Sequence, residues 1–315
     1  MSEVILPDPT TVYLGNTSMC NLHCKHCVRE YIPFPPKETM PFDFFTSIVD
    51  QLVALPLTHL NLYLIDEPLL CKDIHKRIAY TKEKLDVEVR LSTNGTLLST
   101  EIAQRLIDAG LDSLIISLDD DTIELLAPKS RKFSLEQNAH TLQELKRQKM
   151  SNVPFVTLQI VDTALTHNEI ESFRLRWTNI ADRVTIKSPL DWGGSVEWID
   201  KDVKRDSFCV YYATDLAIRW DGAVSACCVF HDLDSDNHLL GDLKEQSLMS
   251  IVHGEKRQRV VNEQVRGDYS SVPHCTACGD WDDFLTGRWR AAGKGVPLDF
   301  KEDMEKCLKN KKSTS

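Results

Sequence analysis

The chain has 315 residues, with 37 basic and 47 acidic side chains and a formal net charge of −10 at pH 7. Binding nucleic acid through its phosphates requires clustered Lys and Arg, so this balance argues against nucleic acid as a partner. Hydrophobic residues make up 42% and charged residues 27%, as in globular proteins that fold in water. No signal peptide and no membrane-spanning run is apparent. We therefore expect a cytoplasmic protein with no membrane partner.

Short apolar or β-branched runs alternate with longer segments of helical spacing over the first 190 residues, which is typical of βαβ units and a parallel sheet. The predicted strands are residues 12–16, 59–65, 87–92, 113–118, 154–161 and 183–187. The predicted helices are residues 42–54, 74–84, 100–109, 135–148 and 168–177. Six such units are too few for a closed eightfold barrel. We predict an α/β fold, a partial (β/α)6 TIM-like barrel with its site at the carboxyl ends of the strands.

The alternation stops after residue 187, which predicts a boundary near residue 190. A hairpin is expected over residues 213–219 and 223–227, with Trp220, Asp221 and Gly222 in its turn, and a helix over residues 248–264. The predicted division is a barrel domain over residues 1–190, a small cysteine-rich domain over residues 191–300 and a polar tail over residues 301–315.

Ten cysteines in a chain without an export signal indicate metal binding or catalysis, because the cytosol keeps thiols reduced. One tight group lies near the front of the chain and a second set lies near its end, which suggests two metal sites. The full set is Cys20, Cys24, Cys27, Cys71, Cys209, Cys227, Cys228, Cys275, Cys278 and Cys307.

The first group, Cys20, Cys24 and Cys27, has the spacing C-x3-C-x2-C directly after the first predicted strand. Three thiolates on a four-iron cluster leave one iron open to a substrate, unlike the fully ligated clusters of electron-transfer proteins. The alternative is a zinc site completed by His23 or His26. The segment CNLHCKHC in this position resembles the motif of the radical S-adenosylmethionine (SAM) superfamily, and the resemblance covers about residues 10–190.

That resemblance implies a [4Fe–4S] cluster that reductively cleaves SAM to a 5′-deoxyadenosyl radical, with a flavodoxin- or ferredoxin-like protein as reductant. The segment LYLIDEPLL resembles the family's G-G-E-P stretch, which assigns Glu67 to the ammonium group of SAM. A carboxylate suits that group as a charge-assisted hydrogen-bond partner. Ile65 and Asp66 stand where two glycines are usual, so a local difference in the backbone is expected.

Two further segments, STNGTLL and ISLDD, resemble SAM-contacting parts of the family and place Asn94 and Ser117 near the cofactor, with Asp119 a further candidate. Arg131 is expected to pair with the SAM carboxylate. Each of these polar residues alone also fits a turn or a helix cap. Their succession at consecutive strand ends favours cofactor binding.

The second group has the spacing C-x12-G-x4-C followed by C-x2-C, and it resembles the SPASM and twitch extensions of radical SAM enzymes. Phe284 stands where a longer SPASM domain carries more cysteines, which favours the twitch type with one auxiliary [4Fe–4S] cluster. A zinc ribbon is the alternative. The implied ligands are Cys209, Cys227, Cys275 and Cys278.

Two residues outside the ligand sets are candidates for catalysis. Cys228 either packs as a small hydrophobic residue or directs its thiol to the substrate. Lys187, at the end of the sixth strand, becomes a general base if burial lowers its pKa, although a solvated lysine is the commoner case. The segment Asp191–Trp192–Gly193–Gly194 joins the two predicted domains and receives no assigned role.

The leading hypothesis for function is hydrogen abstraction from a small polar metabolite such as a sugar, aminocyclitol or aminoglycoside, followed by oxidation or epimerisation. The alternative is modification of a ribosomal peptide, although only about ten residues precede the first strand, so no fused leader-recognition domain is expected there. A third hypothesis is a non-catalytic iron–sulfur or zinc protein, and the SAM-site residues argue against it.

Overall fold

The computed structural model describes residues 8–33, 37–118, 152–196, 211–228 and 239–279, with residues 140, 142–144, 146–147, 209 and 290–291 between and after them. Several predictions fall outside this part of the chain: the assignments of Arg131 and Asp119, most of the helix at residues 135–148, and the tail at residues 301–315. No helix among the described residues has the length and apolar character needed to cross a membrane.

All six predicted barrel strands are present, and neighbours in sequence pair in parallel. The strands are β1 (Thr11–Leu14), β2 (His59–Asn61), β3 (Glu88–Thr93), β4 (Ser113–Ser117), β5 (Phe155–Val161) and β6 (Arg183–Lys187). Strand β2 ends four residues before the predicted limit. The chain turns there because Asp66 Oδ1 accepts a hydrogen bond of 2.8 Å from the backbone N–H of Leu64.

Helices connect these strands: α1 (Phe42–Leu52), α2 (Ile74–Lys84), α3 (Thr100–Asp108) and α4 (His167–Trp177). Two of them begin at residues suited to cap a helix. Ser99 accepts a hydrogen bond from the N–H of Ile102 before α3, and Thr166 forms a reciprocal capping box with Glu169 before α4. The predicted alternation of strand and helix is therefore correct in this part of the chain.

The two faces of the sheet differ in character. Val12, Leu60 and Val89 occupy matching positions in β1, β2 and β3, and they join one hydrophobic core with Phe45 and Ile48 of α1. Because side chains alternate along a strand, the next row of residues faces away from the helices. We call this side the inner face, and it carries Tyr13, Asn61, Tyr63, Arg90 and Asp215.

The C-terminal part extends the same sheet. The predicted hairpin is present as β7 (Asp215–Ile218) and β8 (Ala223–Ser225), and β9 (Leu239–Asp242) follows. Strand β7 pairs in parallel with β1, with Asp215 opposite Thr11, and β10 (Arg290–Ala291) adds to the far edge beside β6. A division at residue 190 stays a prediction, since the sheet itself continues through the hairpin.

The single helix predicted over residues 248–264 is wrong, since the structure has two helices there. Helix α6 (Leu248–Val252) ends before Gly254, whose ψ of 152° is extended, and α7 (Glu255–Arg266) begins immediately afterwards. A Cβ atom on Gly254 would lie 2.7 Å from the carbonyl oxygen of Ser250, so the tight connection requires glycine. Short helices at Tyr211–Thr214 (α5) and His274–Ala277 (α8) flank the second cysteine group.

Candidate active site

The first cysteine group lies in the loop that follows β1. The backbone N–H of Cys27 donates to the carbonyl of Cys24 at 2.9 Å, and a short 3-10 helix, Val28–Glu30, begins directly after it. Cys20, Cys24 and Cys27 are all partly exposed, and the nine described cysteines are thiols rather than disulfides. The tight turn and the partly exposed cysteines are compatible with one shared ligand in the loop after β1.

Arg29 lies beside these thiols. Its Nη1 atom donates to the carbonyl oxygens of Ser18 at 2.9 Å and Ile65 at 3.1 Å, which joins the cysteine loop to the loop after β2. Burial raises the pKa of Cys20, and the nearby Arg29 guanidinium acts in the opposite direction. Sequence reasoning missed this residue, although a basic side chain two residues after the third cysteine was a usable signal.

The first cysteine group provides donors that fit an iron–sulfur cluster. Zinc needs four ligands gathered around one atom at about 2.0–2.3 Å. Among the described residues, no three His, Cys, Asp or Glu side chains converge in that way. The ligands of a four-iron cluster bind different irons and therefore lie farther apart. Soft thiolates beside a guanidinium are also the donors that such an anionic cluster prefers.

Glu67 is almost completely buried, with an exposed fraction of 1%. Its Oε1 atom accepts hydrogen bonds from Thr93 Oγ1 at 2.6 Å and the Leu69 N–H at 3.1 Å, while Oε2 accepts from the Asn94 N–H at 2.8 Å. Burial raises the pKa of Glu67 to about 7. The carboxylate thus joins the loops after β2 and β3. Its predicted contact with the SAM ammonium stays a prediction.

Glu67→Gln is expected to weaken SAM binding by about tenfold, since a neutral amide loses a charge-assisted contact of roughly 1.5 kcal/mol. Iron content at the first cluster should not change, because the Glu67 carboxylate accepts its hydrogen bonds from Leu69, Thr93 and Asn94. Equilibrium dialysis with labelled SAM measures the affinity. Unaltered affinity together with a lowered melting temperature would limit Glu67 to holding the two loops together.

Asp66 explains the departure from the expected pair of glycines. Its Oδ2 atom accepts from the backbone N–H groups of Asn16 at 3.2 Å and Thr17 at 3.3 Å, at the exit of β1. Burial raises its pKa to about 6, and these N–H donors act in the opposite direction. A side chain therefore holds the start of the cysteine loop where the family pattern has glycine.

Asn94 and Ser117, the other predicted SAM residues within the described part of the chain, occupy the expected strand ends. Asn94 donates from Nδ2 to Oδ1 of Asn21 at 2.8 Å, and Asn21 donates in turn to Thr96 Oγ1 at 2.8 Å. This network joins the cysteine loop to the loop after β3. Ser117 lies at the end of β4, with its Oγ 3.4 Å from Nε2 of Gln159. Binding of SAM by Asn94 and Ser117 stays a prediction.

Tyr212, which is buried, lies beside the second cysteine group. Its hydroxyl lies 3.5 Å from the sulfur of Cys275. Burial raises the pKa of Tyr212, and charges on Cys275, Cys227 and Cys209 raise it further. Three of the four predicted ligands therefore lie near enough to Tyr212 to affect its pKa, and Cys278 follows the short helix that carries Cys275.

The inner face carries a polar cluster that sequence reasoning missed. The rings of Tyr13 and Tyr63 meet edge to face with centroids 5.9 Å apart, and Arg90 forms a bidentate ion pair with Glu88 at 2.8 and 2.9 Å. Asp215 is 6% exposed and accepts from Thr214 Oγ1 at 2.7 Å. Burial raises the pKa of Asp215 to about 7, and no cation among the described residues counters it.

The two predicted catalytic residues occupy different places. The thiol of Cys228 lies close enough to the inner face for its charge to affect Tyr13 and Tyr63, and burial raises its own pKa. Lys187 ends β6 beside Val161 of β5, several strands away from β1. The structure therefore associates Cys228 with the inner-face cluster and gives no equivalent association for Lys187.

Comparison with known families matches the Radical SAM superfamily model to residues 17–174. This match covers half of the chain. The chain therefore belongs to the radical SAM superfamily. A second model, described as the iron–sulfur cluster-binding SPASM domain, matches residues 209–279. The family's cofactors are SAM and a [4Fe–4S] cluster, and the SPASM domain adds auxiliary iron–sulfur binding.

Curated relatives match only parts of the chain. The Fe-coproporphyrin III synthase of Methanosarcina barkeri is 31% identical over 103 residues, covering 33% of this chain and 25% of the relative. The GTP 3',8-cyclase of Chlorobaculum tepidum is 29% identical over 167 residues, covering 51% of this chain and 48% of the relative. The chain thus spans a quarter to about half the length of these relatives.

Solved structures confirm the fold. BtrN in complex with AdoMet and 2-DOIA superposes with a TM-score of 0.61 at 16% identity, covering 87% of this chain and 94% of BtrN. Streptococcus suis SuiB bound to precursor peptide SuiA gives a TM-score of 0.63 at 13% identity, covering 81% of this chain and 67% of SuiB. At these identities the comparison establishes the predicted partial barrel with a SPASM-like extension, and no substrate.

Proposed function

We propose that this radical SAM enzyme abstracts a hydrogen atom from a carbinol C–H bond of a small polar metabolite, such as a sugar or an aminocyclitol, and completes an oxidation or an epimerisation. The observation that carries the proposal is the polar inner face between the two cysteine groups. The first group follows the carboxyl end of β1. Cys209 precedes β7 and Cys227 follows β8, so both lie at the end of the hairpin away from its turn. This is the end where Asp215 pairs with Thr11, the first residue of β1.

The distance between the two ends suits a small substrate. Strand β1 has four residues, which span about 13 Å at ~3.3 Å per residue. Along this length the inner face offers a carboxylate, two phenols and a guanidinium, from Asp215, Tyr13, Tyr63 and Arg90. Such groups bind hydroxyl and amino substituents by hydrogen bonds. The BtrN complex, which also contains a small molecule, has the same fold.

A cluster held by Cys20, Cys24 and Cys27 would supply the electron for cleavage of SAM, and an auxiliary cluster held by Cys209, Cys227, Cys275 and Cys278 would accept an electron from the substrate side. For oxidation, the substrate would lose its carbinol hydrogen atom to form 5′-deoxyadenosine, its hydroxyl proton to a base and one electron to the auxiliary cluster. Lys187, the base proposed from the sequence, ends β6 several strands away from β1 and would have to reach the substrate from that side of the sheet. For epimerisation, the Cys228 S–H returns a hydrogen atom to the opposite face, and the resulting sulfur radical takes up an electron and a proton from the reductant and solvent.

Turnover in deuterated water distinguishes these outcomes. If Cys228 donates hydrogen, its exchangeable thiol will label the inverted carbon, and Cys228→Ala is expected to lower formation of the epimer at least 100-fold. Mass spectrometry of products from a panel of hexoses and aminocyclitols measures both effects. A ketone product from the wild type, with Cys228→Ala fully active, would establish a dehydrogenase and leave Cys228 as a packing residue.

Peptide modification is the second candidate, because the fold is also that of SuiB bound to its precursor peptide. A chamber for a peptide must accept a long segment, whereas the inner face described here is lined by large side chains, including Tyr13 and Tyr63. The product panel therefore includes short peptides. Formation of 5′-deoxyadenosine coupled to a peptide, and to none of the sugars, would replace the metabolite proposal.

Anaerobic reconstitution is expected to load about eight irons per chain, as two [4Fe–4S] clusters require. Each cluster should load independently of the other, because the two cysteine groups are carried by different loops. Iron and sulfide assays with elemental analysis for zinc give the measurement. About four irons together with one zinc ion would show that the second cysteine group is a zinc site.

A further inference from the structure

The segment after β6 makes several hydrogen bonds through Asp191, which has an exposed fraction of 2%. Its Oδ1 atom accepts hydrogen bonds from the N–H groups of Gly193 at 2.9 Å and Gly194 at 3.3 Å. Its Oδ2 atom accepts from the N–H of Gly279, the residue immediately after Cys278. One buried carboxylate therefore organises its own loop and holds the end of the second cysteine group.

Trp192 makes the corresponding contact to the first cysteine group. Its indole Nε1 donates at 2.9 Å to the carbonyl oxygen of His26, which lies between Cys24 and Cys27. Trp192 has a φ of +53°, a left-handed conformation that costs a non-glycine residue roughly 1 kcal/mol. Surrounding bonds hold this conformation in place, including the one from the Gly194 N–H to the carbonyl of Asp191 at 3.1 Å.

Gly279 is suited to this contact. A Cβ atom at that position would lie 2.9 Å from Oδ2 of Asp191, so a larger residue would push the carboxylate away. The sequence C-x2-C-G at Cys275–Gly279 thus provides both the proposed ligands and a close approach for Asp191. The adjacent residues Asp191 and Trp192 thus connect the two cysteine groups, one by its bond to Gly279 and the other by its bond to His26.

We propose that Asp191 and Trp192 couple the two cluster sites: ligation at Cys275 and Cys278 orders the loop of Cys24 and Cys27 through this pair and thereby strengthens SAM binding. The inference rests on both cysteine groups being cluster ligands, and it is independent of the substrate. The two residues act as positioning residues, since neither contacts the reacting atoms. Linkage requires the effect to be reciprocal, so SAM also orders the Cys275–Cys278 segment.

A double-mutant cycle on SAM affinity tests the coupling in reconstituted enzyme. Removing the second site with Cys275→Ala and Cys278→Ala is expected to weaken SAM binding about tenfold in the wild-type background. Trp192→Phe, which retains the ring but removes the N–H donor, is expected to produce a similar loss alone. Combined, the substitutions should cause little further loss. Trp177→Phe, in α4, is the matched control and should leave the dissociation constant unchanged.

The coupling would be overturned if the combined variant bound SAM about 100-fold more weakly, which is the product of the two separate losses. Full SAM affinity in Trp192→Phe would also overturn it. Should the double cysteine variant fail to fold, hydrogen exchange provides the second measurement. SAM is expected to protect the amides of residues 275–279 severalfold in the wild type and not in Trp192→Phe. Equal protection in both proteins would also overturn the proposal. A failed search for substrate affects neither result, because only SAM is used as the probe.

Discussion

Replacing Cys20, Cys24 and Cys27 together with alanine is expected to abolish formation of 5′-deoxyadenosine from SAM, a loss of at least 1,000-fold, while about four irons per chain are retained at the second site. The reason is that the first group alone leaves an iron open for SAM. Anaerobic reduction with dithionite and chromatography of the products provide the measurement. This is the largest effect that the proposed site predicts.

Cys71→Ala is the matched control for this experiment. Cys71 is buried, and its thiol contacts Asp73 Oδ1 at 2.9 Å, away from either proposed ligand set. Its loss should leave SAM cleavage within about twofold of the wild type. Cleavage that survives in the triple variant would move the SAM site elsewhere, and loss of all iron would show that the second site cannot assemble without the first.

Asp215→Asn is expected to stabilise the protein without clusters above pH 7 by up to about 4 kcal/mol. Burial raises the pKa of Asp215 from 3.8 to about 7, so the folded chain retains a proton that the unfolded chain releases. The free energy of unfolding therefore falls as pH rises from about 4 to 7, by roughly 1.4 kcal/mol for each pH unit. Asparagine removes this dependence. Urea titrations between pH 4 and pH 8 measure it.

Asp268→Asn is the control for the stability measurement. Asp268 lies in a turn, where the Ser270 N–H lowers its pKa, so its replacement should give no stabilisation above pH 7. An unchanged pH dependence in Asp215→Asn would show that Asp215 ionises freely in the fold.

Asp215→Asn should also lower product formation about tenfold or more, because the inner face loses its carboxylate. Greater stability with lower activity is typical of a binding residue.

Local patterns allowed much of the fold to be predicted. Hydrophobic periodicity identified all six barrel strands and the hairpin, and cysteine spacing identified the two groups. Local patterns could not predict contacts between residues that are distant in the sequence. Asp66 binds Asn16 from 50 positions away and Asp191 binds Gly279 from 88, so neither partner is apparent from neighbouring residues. The pairing of β7 with β1 was missed for the same reason, since it depends on the folded sheet.

The inner-face cluster shows a different limit of sequence reasoning. Tyr13, Arg90 and Asp215 come from three strands, and each alone reads as an ordinary strand residue. Only the register, with Tyr13 beside Asn61 and Asn61 beside Arg90, brings them onto one surface. Burial then gives Asp215 its raised pKa, which no local sequence feature predicts.

The pairing of β7 with β1 has a consequence for synthesis of the chain. Strand β1 begins at Thr11 and its second neighbour begins at Asp215, 204 residues later. At translation rates of about 5–20 residues per second, β1 keeps one open edge for roughly 10–40 s. An exposed strand edge is a site for wrong pairing and aggregation. The nascent chain therefore carries its first cysteine group next to a strand with one unpaired edge until the hairpin has emerged.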